Sequence, residues 1–333
     1  MFGSLTQLAS RPFMVGFVLP VLIACVIGYY LFSDVEFVAT LKPFVMQSES
    51  WDKLAYLAVT VWAIALFLSM TSNAQYRLLE GYSWPVNRFQ HWKEKERRRY
   101  CEDEARVAAY KAKRKKATPE EVAGVDAGHT KSFAKLRQEF PRKDSALMPT
   151  RFGNQIRAFE YYSSTVYGAD AVMLWFSLSA VLPKDYQEAL NNARSNVDFL
   201  VNIIFLFVGL AILAAARIGD FIYLETTPID GAFLLKHVWL FVGFVTLLVA
   251  ARCAYLFSLS VLFPWGELVK GAFDNYLPAL AKQWGYDVPK TWAERKTFWT
   301  QVSQQLTYHE PLKPENWLPK PFREHPRSFR IRT

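Results

Sequence analysis

Four long apolar segments, separated by polar stretches, constrain the fold of this chain more than any other feature. The first carries no charged residue over 22 positions, which is enough for a helix to cross a hydrocarbon core about 30 Å thick. Hydrophobic residues make up 52% of the 333 positions, and they collect in blocks rather than on periodic faces. The pattern predicts transmembrane helices at about 12–33, 54–71, 199–216 and 236–263.

The first segment has one alternative interpretation, a cleavable signal peptide. Its length and the lack of a small-x-small cleavage pattern favour a membrane span instead. Pro20 lies within it and removes one backbone donor. We expect Pro20 to kink this helix rather than end it, because neighbouring helices can bond the carbonyl that a proline frees.

The distribution of Lys and Arg predicts the orientation. Residues 72–197 hold 22 of these cations and residues 264–333 hold 11, whereas the two short connections hold only Lys42, Lys53, Arg217 and Lys236. Cytoplasmic segments of membrane proteins carry the excess of positive charge. The rule therefore predicts a multi-pass protein with both termini, the central segment 77–197 and the tail 264–333 in the cytoplasm.

The central segment begins with a charged stretch rich in good helix formers. Its basic clusters, Arg97–Arg99 and Lys113–Lys116, raise a nucleic-acid hypothesis. No groove-reading motif or stacking aromatic residues accompany them, so we favour a solvated helix that touches anionic lipid headgroups. Farther along, Thr118–Glu121 predicts a helix start, and Gly124 and Gly128 are expected to break that helix.

A dense polar cluster follows between residues 149 and 170. We expect a helix over 153–162, a break at Ser163–Thr165, and a second helix at about 170–182 that Asp170 caps. The second helix is uncharged but too short to span a bilayer, which is typical of an interfacial helix. The cluster consists of Arg151, Asn154, Arg157, Glu160, Tyr161, Tyr167 and Asp170.

Two interpretations of this cluster remain open. Its charged members, Arg151, Arg157, Glu160 and Asp170, can form a structural ion-pair network at the cytoplasmic membrane boundary. We favour this network, because buried charges need partners. Alternatively, the two arginines bind a phosphate or carboxylate while Glu160 and Asp170 act as acid and base. The sequence has no Gly-rich phosphate loop or nucleophile motif, which weakens the case for an enzyme.

Residues Pro149 to Trp175 read Pro-Thr-Arg-x-Gly-Asn-x-x-Arg-Ala-x-Glu and then Tyr-Gly-x-Asp-Ala-Val-x-x-Trp. This pattern resembles a segment of uncharacterised bacterial integral-membrane proteins. The resemblance implies a bacterial origin and a polytopic membrane protein, hence the inner membrane. It implies no activity.

Apart from Lys236 at the first position of the fourth segment, Arg252 is the only formal charge inside the four apolar segments. It falls toward the cytoplasmic side of the fourth segment, and Asp198 and Asn202 of the third segment are expected at a similar height. We therefore expect Arg252 to pair with Asp198 or Asn202, or to snorkel to the interface. The alternative is a residue that lines an aqueous or anion path.

The three cysteines and five histidines show no ligand spacing, so the sequence predicts no metal site and no cofactor. In the tail, Phe263–Gly266 is expected to mark the membrane exit, followed by amphipathic helices at 267–284 and 291–306. Residues 310–333 contain five prolines and are expected to run extended over a surface. Aromatic residues in this stretch favour docking onto its own domain or a neighbouring subunit.

Together these patterns predict an all-α fold, a four-helix transmembrane protein whose central segment and tail form a helical cytoplasmic domain. The favoured function is a non-enzymatic component that acts by assembly, as a scaffold or as an oligomeric pore with a regulatory domain. A membrane-bound enzyme or ligand sensor that uses the polar cluster is one alternative, and a transporter subunit is another. The expected partners are the lipid bilayer with its anionic headgroups and either copies of this chain or another membrane protein; nucleic acid is not expected.

Overall fold

The computed structural model describes residues 10–32, 51–224 and 231–309. The connection that carries Lys42 and the predicted extended stretch 310–333 lie outside these residues. Every regular element within them is helical, which confirms the all-α prediction. The helices are α1 (Arg11–Leu31), α2 (Trp51–Glu80), α3 (Gln90–Arg114), α4 (Pro119–Glu139), α5 (Arg151–Val166), α6 (Ala171–Ser179), α7 (Lys184–Leu224), α8 (Gly231–Gln283) and α9 (Trp292–Tyr308).

Four of these helices contain a segment that is long and apolar enough to cross a membrane, as predicted. The segments are Arg11–Leu31, Ala55–Glu80, Lys184–Gly219 and Val238–Gln283. The last is 46 residues long, more than twice what a bilayer requires. The membrane exit expected at Phe263–Gly266 stays a prediction, but the separate helix expected after it is not observed. Pro264 lies inside α8, and the predicted helix 267–284 is its continuation.

The chain divides into two compact units, each assembled from separate stretches of sequence. The first unit comprises residues 1–79 and 191–262, and the second comprises residues 80–190 and 263–333. In the first unit, α1 packs on α2 through a cluster that includes Phe13, Val21 and Ala65. A second cluster joins Leu31 to apolar side chains of α7 and α8. These contacts hold the apolar helices of the first unit together by close packing.

In the second unit, α3 and α4 pack on each other around Tyr100, Val107, Leu136, Phe140 and Leu147. Most of the charged helix α3 is exposed, as expected of a solvated helix, but not all of it. One stripe of it faces an apolar core.

Helix α4 also continues through both glycines that were expected to break it. A capping box of Thr118 and Glu121 starts the helix. A side chain at Gly128 would collide with the Tyr110 ring, so this glycine permits close packing rather than a break.

Helix α5 begins at its N-cap, Thr150, and continues through Ser163–Thr165, so the predicted break is wrong. The hydroxyls of Ser163 and Ser164 donate to the backbone carbonyls of Ala169 and Tyr161, which removes their competition with the helix. Gly168 ends this region with a φ of 79°, a conformation that glycine adopts without steric cost.

Asp170 then caps α6, as predicted: its Oδ1 accepts from the backbone N–H groups of Val172 and Met173. Helix α6 ends at Ser179, earlier than residue 182. Against it packs α9, which Thr291 caps near the predicted start.

Candidate functional site

Asn154 is the most deeply buried member of the predicted polar cluster, with no exposed surface. Its Nδ2 donates to the carbonyl of Met148 at 3.1 Å and to Glu96 Oε2 at 3.2 Å, and its Oδ1 accepts from the Met148 backbone N–H at 2.7 Å. One amide thus closes the loop before α5 and joins α5 to α3. Every polar atom of this side chain has a partner, as a buried amide requires.

A chain of ionic contacts continues from Asn154. Glu96 is 5% exposed and accepts from Arg99 Nη1 at 2.7 Å. Arg99 Nη2 donates to Glu139 at 2.8 Å, and Arg151 lies 3.8 Å from the same carboxylate. We call Glu96, Arg99, Glu139, Arg151 and Asn154 the charged network. The charged network joins α3, α4 and α5. Its ion pairs therefore contribute to the packing of these three helices.

Arg157 and Glu160 lie apart from the charged network. The Arg157 guanidinium lies over the rings of Tyr82 and Tyr161, at 5.3 and 5.2 Å from their centroids, and its Nη1 is 3.9 Å from Glu160. Among the described residues, Arg157 Nε is buried without a hydrogen-bond partner. Burial raises the pKa of Glu160; Arg157 opposes this change and Asp170 adds to it.

The expected ion-pair network of Arg151, Arg157, Glu160 and Asp170 is therefore only partly formed. Arg157 pairs with Glu160, but Arg151 pairs with Glu139 on another helix and Asp170 caps α6. Helical spacing fixes which residues share a face, but it does not reveal which neighbouring helix covers that face. Glu139, the true partner of Arg151, lies on α4.

Tyr167 belongs to a third group of polar contacts. Its hydroxyl donates to Asp274 Oδ1 at 2.6 Å, and the hydroxyl of Tyr162 donates to the same atom at 2.9 Å. Burial and the bonded carboxylate raise the pKa of Tyr162 to about 12 and raise that of Tyr167 as well. Asp274 lies on α8, more than 100 residues away in the sequence. Both phenols therefore remain protonated donors at neutral pH, and they fasten α5 to α8.

Sequence reasoning missed Glu96, Arg99, Glu139 and Asp274. The sequence did contain a signal for Glu96. The buried positions of α3 recur at intervals of four, three and four residues, which places Glu96 on the buried face of the helix. The buried positions are Glu96, Tyr100, Asp103 and Val107. No comparable signal identified Asp274.

The first unit contains its own polar site inside the predicted membrane spans. Residues Met14–Val18 of α1 form a π-helical turn, and Pro20 follows directly. Pro20 has no N–H to donate to the carbonyl of Gly16, four residues earlier. Asn202 Nδ2 of α7 donates to that carbonyl at 2.8 Å. This confirms the expectation that a neighbouring helix bonds the freed carbonyl and that Pro20 does not end the helix.

Asp198 lies one turn before Asn202 and accepts from the hydroxyl of Tyr76 at 2.8 Å, with Arg194 at 3.8 Å. Arg252 instead lies on an exposed face of α8, with its guanidinium 5.3 Å from the centroid of the Tyr255 ring. The predicted pairing of Arg252 with Asp198 or Asn202 is therefore wrong. Both expected partners are bonded to other helical segments of the first unit, and the expectation that Arg252 snorkels to the interface stays a prediction.

Across the described ranges, no three His, Cys, Asp or Glu side chains come together in a group that could hold a metal ion. The expectation of no cofactor stays a prediction. Comparison with known proteins adds no relative: no family model, curated protein or solved structure matches this chain.

Proposed function

We propose that this chain is a non-enzymatic integral membrane component that acts by assembly, as a scaffold or as part of an oligomeric pore. The observation that carries the proposal is the outward side of α6. Val172, Met173 and Phe176 are 65%, 43% and 86% exposed there, and the opposite side of the helix packs into the second unit. We call these three side chains the α6 outer face.

The α6 outer face is the kind of surface that a partner covers. The helix has no charged residue, and both of its sides are apolar. Burying a phenylalanine side chain contributes about 1.5–3 kcal/mol, so an uncovered face of this kind favours association. Assembly through this face fits a chain with no recognisable catalytic motif.

A protein surface suits the α6 outer face better than lipid does. The sequence predicts an interfacial helix here, and contact with lipid remains the alternative. However, α7 opens with a polar section before its apolar section begins, so charged residues separate α6 from the predicted span along the chain. These residues include Lys184, Asp185, Glu188 and Arg194. We therefore assign the face to a second copy of this chain or to another protein.

The polar cluster also supports a structural role over acid–base chemistry. Asn154 and Arg151 form contacts within the charged network, and the Asp170 carboxylate accepts two backbone N–H groups. The Asp170 carboxylate is thereby used to start α6.

For the location, we propose a bacterial inner membrane, with both termini and the second unit in the cytoplasm. The Lys and Arg distribution supports this orientation, and basic residues next to the spans suit anionic lipid headgroups.

Particle mass in native-lipid discs tests the proposed assembly. We expect the wild-type protein to appear in particles heavier than one copy, and Phe176→Asp to shift the population toward a single copy. The matched control is Phe89→Asp, another exposed phenylalanine of the second unit, which should leave the mass distribution unchanged. A wild-type protein that is a single copy without any partner would contradict the proposal.

A second candidate function, an anion sensor, draws support from Arg157. Its guanidinium is held over two tyrosine rings, its only ion pair is long, and its Nε lacks a partner in the described part of the chain. Such an arginine is preorganised to bind a carboxylate or phosphate. Calorimetric titration with inorganic phosphate and with acetate tests anion binding at Arg157. Heat of binding that Arg157→Ala abolishes would support the sensor. No heat with either anion would exclude a sensor for these two ligands.

A further inference from the structure

We infer that Arg252 is the contact point for a transmembrane helix of a different protein, one that carries an aspartate or glutamate within its span. This inference rests on the proposed function of assembly, because it names the chemistry of one partner. It concerns a surface of the first unit, whereas the α6 outer face belongs to the second.

Arg252 lies within the segment of α8 that is long and apolar enough to cross a membrane. It follows the start of the predicted span, residue 236, by 16 residues and precedes the end, residue 263, by 11 residues. These separations correspond to about 24 Å and about 16 Å of helix. Arg252 is therefore closer to the middle of the predicted span than to either end. A cation at this depth in hydrocarbon is costly unless it has a partner.

The contacts that Arg252 makes within its own chain do not supply that partner. The side chain is exposed, and its guanidinium lies 5.3 Å from the centroid of the Tyr255 ring. The ring attracts the positive charge, but it is not an ordinary acceptor for the five N–H donors of a guanidinium. Among the residues that the structure describes, no carboxylate forms an ion pair with Arg252.

The surface of α8 around Arg252 is apolar. Residues three, four and seven positions away share its side of the helix. The exposed ones are Val245, Leu248, Val249 and Leu256. We call these four residues and Arg252 the Arg252 face. Aqueous ion paths use charged rings and carbonyl groups, so the apolar surroundings favour a dry contact with another helix over a water-filled path.

A partner helix suits the Arg252 face better than lipid does. Acyl chains match the four apolar side chains but offer no acceptor to the guanidinium. A headgroup phosphate reaches Arg252 only if the side chain extends along the helix or the bilayer thins. A carboxylate on a neighbouring helix meets the guanidinium at its own depth, and such a pair can form two parallel hydrogen bonds.

A second copy of this chain does not supply the carboxylate. The four predicted spans contain no Asp or Glu. Asp198 borders the third span, but it is 7% exposed and accepts from the Tyr76 hydroxyl within the first unit. The partner of the Arg252 face is therefore a different membrane protein with an acidic residue inside a span.

A synthetic helix tests this pairing. The probe is a dansyl-labelled transmembrane peptide of leucine and alanine with one central aspartate, and the control peptide carries leucine at that position. In neutral phosphatidylcholine vesicles at pH 8, energy transfer from the tryptophans of the protein measures binding. The aspartate peptide should bind about tenfold more tightly than the control peptide. Arg252→Leu should abolish the difference, and Arg252→Lys should keep most of it.

A reversal of charge gives the matched control. Arg252→Asp should bind a lysine peptide in preference to the leucine peptide and lose its preference for the aspartate peptide. Equal binding of the aspartate and leucine peptides to the wild-type protein would overturn the inference. An Arg252 that snorkels to the headgroups would give this result.

A photoreactive side chain identifies the partner in cells that normally produce the protein. Val249 is replaced by p-benzoylphenylalanine, and the adduct formed on illumination is identified by mass spectrometry. We expect a protein whose cross-linked span contains Asp or Glu, and replacement of that acid by its amide should remove the adduct. Adducts only to a second copy, or only to lipid, would overturn the inference.

Failure of the proposed function has a different signature. If Phe176→Asp leaves the particle mass unchanged while the aspartate peptide still binds the wild-type protein, the Arg252 face holds and assembly through the α6 outer face does not.

Discussion

Two buried asparagines, one in each unit, show how differently the two regions use the same side chain. Asn154 of the second unit has both its donor and its acceptor atoms bonded, to Met148 and to Glu96. Asn202 of the first unit is 1% exposed and donates to the Gly16 carbonyl, while its Oδ1 has no partner in the described part of the chain.

The difference follows from what each environment lacks. In the second unit, loops and charged helices must be joined, and Asn154 connects a loop to an ionic network. In the first unit, an apolar helix has lost one backbone donor at Pro20, and no water in a hydrocarbon core can replace it. Asn202 supplies that donor and nothing more. A polar side chain thus organises tertiary structure in one unit and completes a backbone in the other.

The largest effect is expected for Asn154→Ala. It removes three hydrogen bonds and leaves the Met148 backbone and Glu96 without this partner, at a cost of about 3 kcal/mol to the folded second unit. Thermal unfolding followed by tryptophan fluorescence, with proteolysis of the second unit as a second probe, measures the loss. Asn275→Ala is the control, because Asn275 is exposed and its side chain donates to Gly271 of its own helix. Equal effects of the two variants would contradict the role of Asn154.

Tyr76→Phe should have the next largest effect, within the first unit. It removes the hydroxyl that donates to Asp198 and leaves a buried carboxylate with Arg194 at 3.8 Å, for a cost of about 2 kcal/mol. A double-mutant cycle with Asp198→Ala, measured by thermal stability in nanodiscs, isolates the coupling between the two side chains. Strictly additive effects would show that the hydrogen bond contributes nothing to stability.

Asn202→Ala sharpens the comparison with Asn154, and we expect it to cost less, about 1 kcal/mol. Only one hydrogen bond is lost, the orphaned Oδ1 disappears with it, and hydrogen bonds inside membranes average below 1 kcal/mol. The same nanodisc assay applies. A loss of stability as large as that of Asn154→Ala would show that the two asparagines contribute equally. Restoring the N–H with Pro20→Ala in the Asn202→Ala background should recover stability.

The smallest effect is a pH dependence at Glu160 in the second unit. The pKa of Glu160 is raised in the folded protein, so its contribution to stability is present at low pH and is lost as the pH rises through that raised pKa. Glu160→Gln does not ionise, and its stability relative to wild type should increase from about pH 4 to pH 8. Unfolding midpoints at both pH values measure the difference. If the wild-type protein instead becomes more stable relative to Glu160→Gln over this pH range, the pKa of Glu160 is not raised in the folded protein.

The elements that sequence predicted well are those fixed by local chemistry. Four apolar segments became four long helices, Thr118 and Asp170 cap the helices that they were expected to cap, and the carbonyl freed by Pro20 found a donor on another helix. In each case the physical requirement lies within a few residues. The length of an apolar segment, a residue that can cap a helix and a proline that lacks an N–H can all be identified in the sequence itself.

The errors concern helix breaks and long-range partners. Gly124 and Gly128 were expected to break α4, but helical neighbours and the Tyr110 ring favour its continuation. The partners of Arg151 and Tyr167 are Glu139 and Asp274, which lie on other helices. Such pairs depend on how helices pack, and a charge pattern along one helix does not contain that information.

The bond between Asn202 and the Gly16 carbonyl has a consequence for the order of events during synthesis. Its two residues are separated by 186 positions, so the Gly16 carbonyl waits for a donor that is translated much later. Until then, the backbone around Pro20 keeps an unmet hydrogen bond, whichever helices have already been inserted. Maturation of the first unit is therefore a late step, and chains that stall before residue 202 should be preferred substrates for membrane proteases.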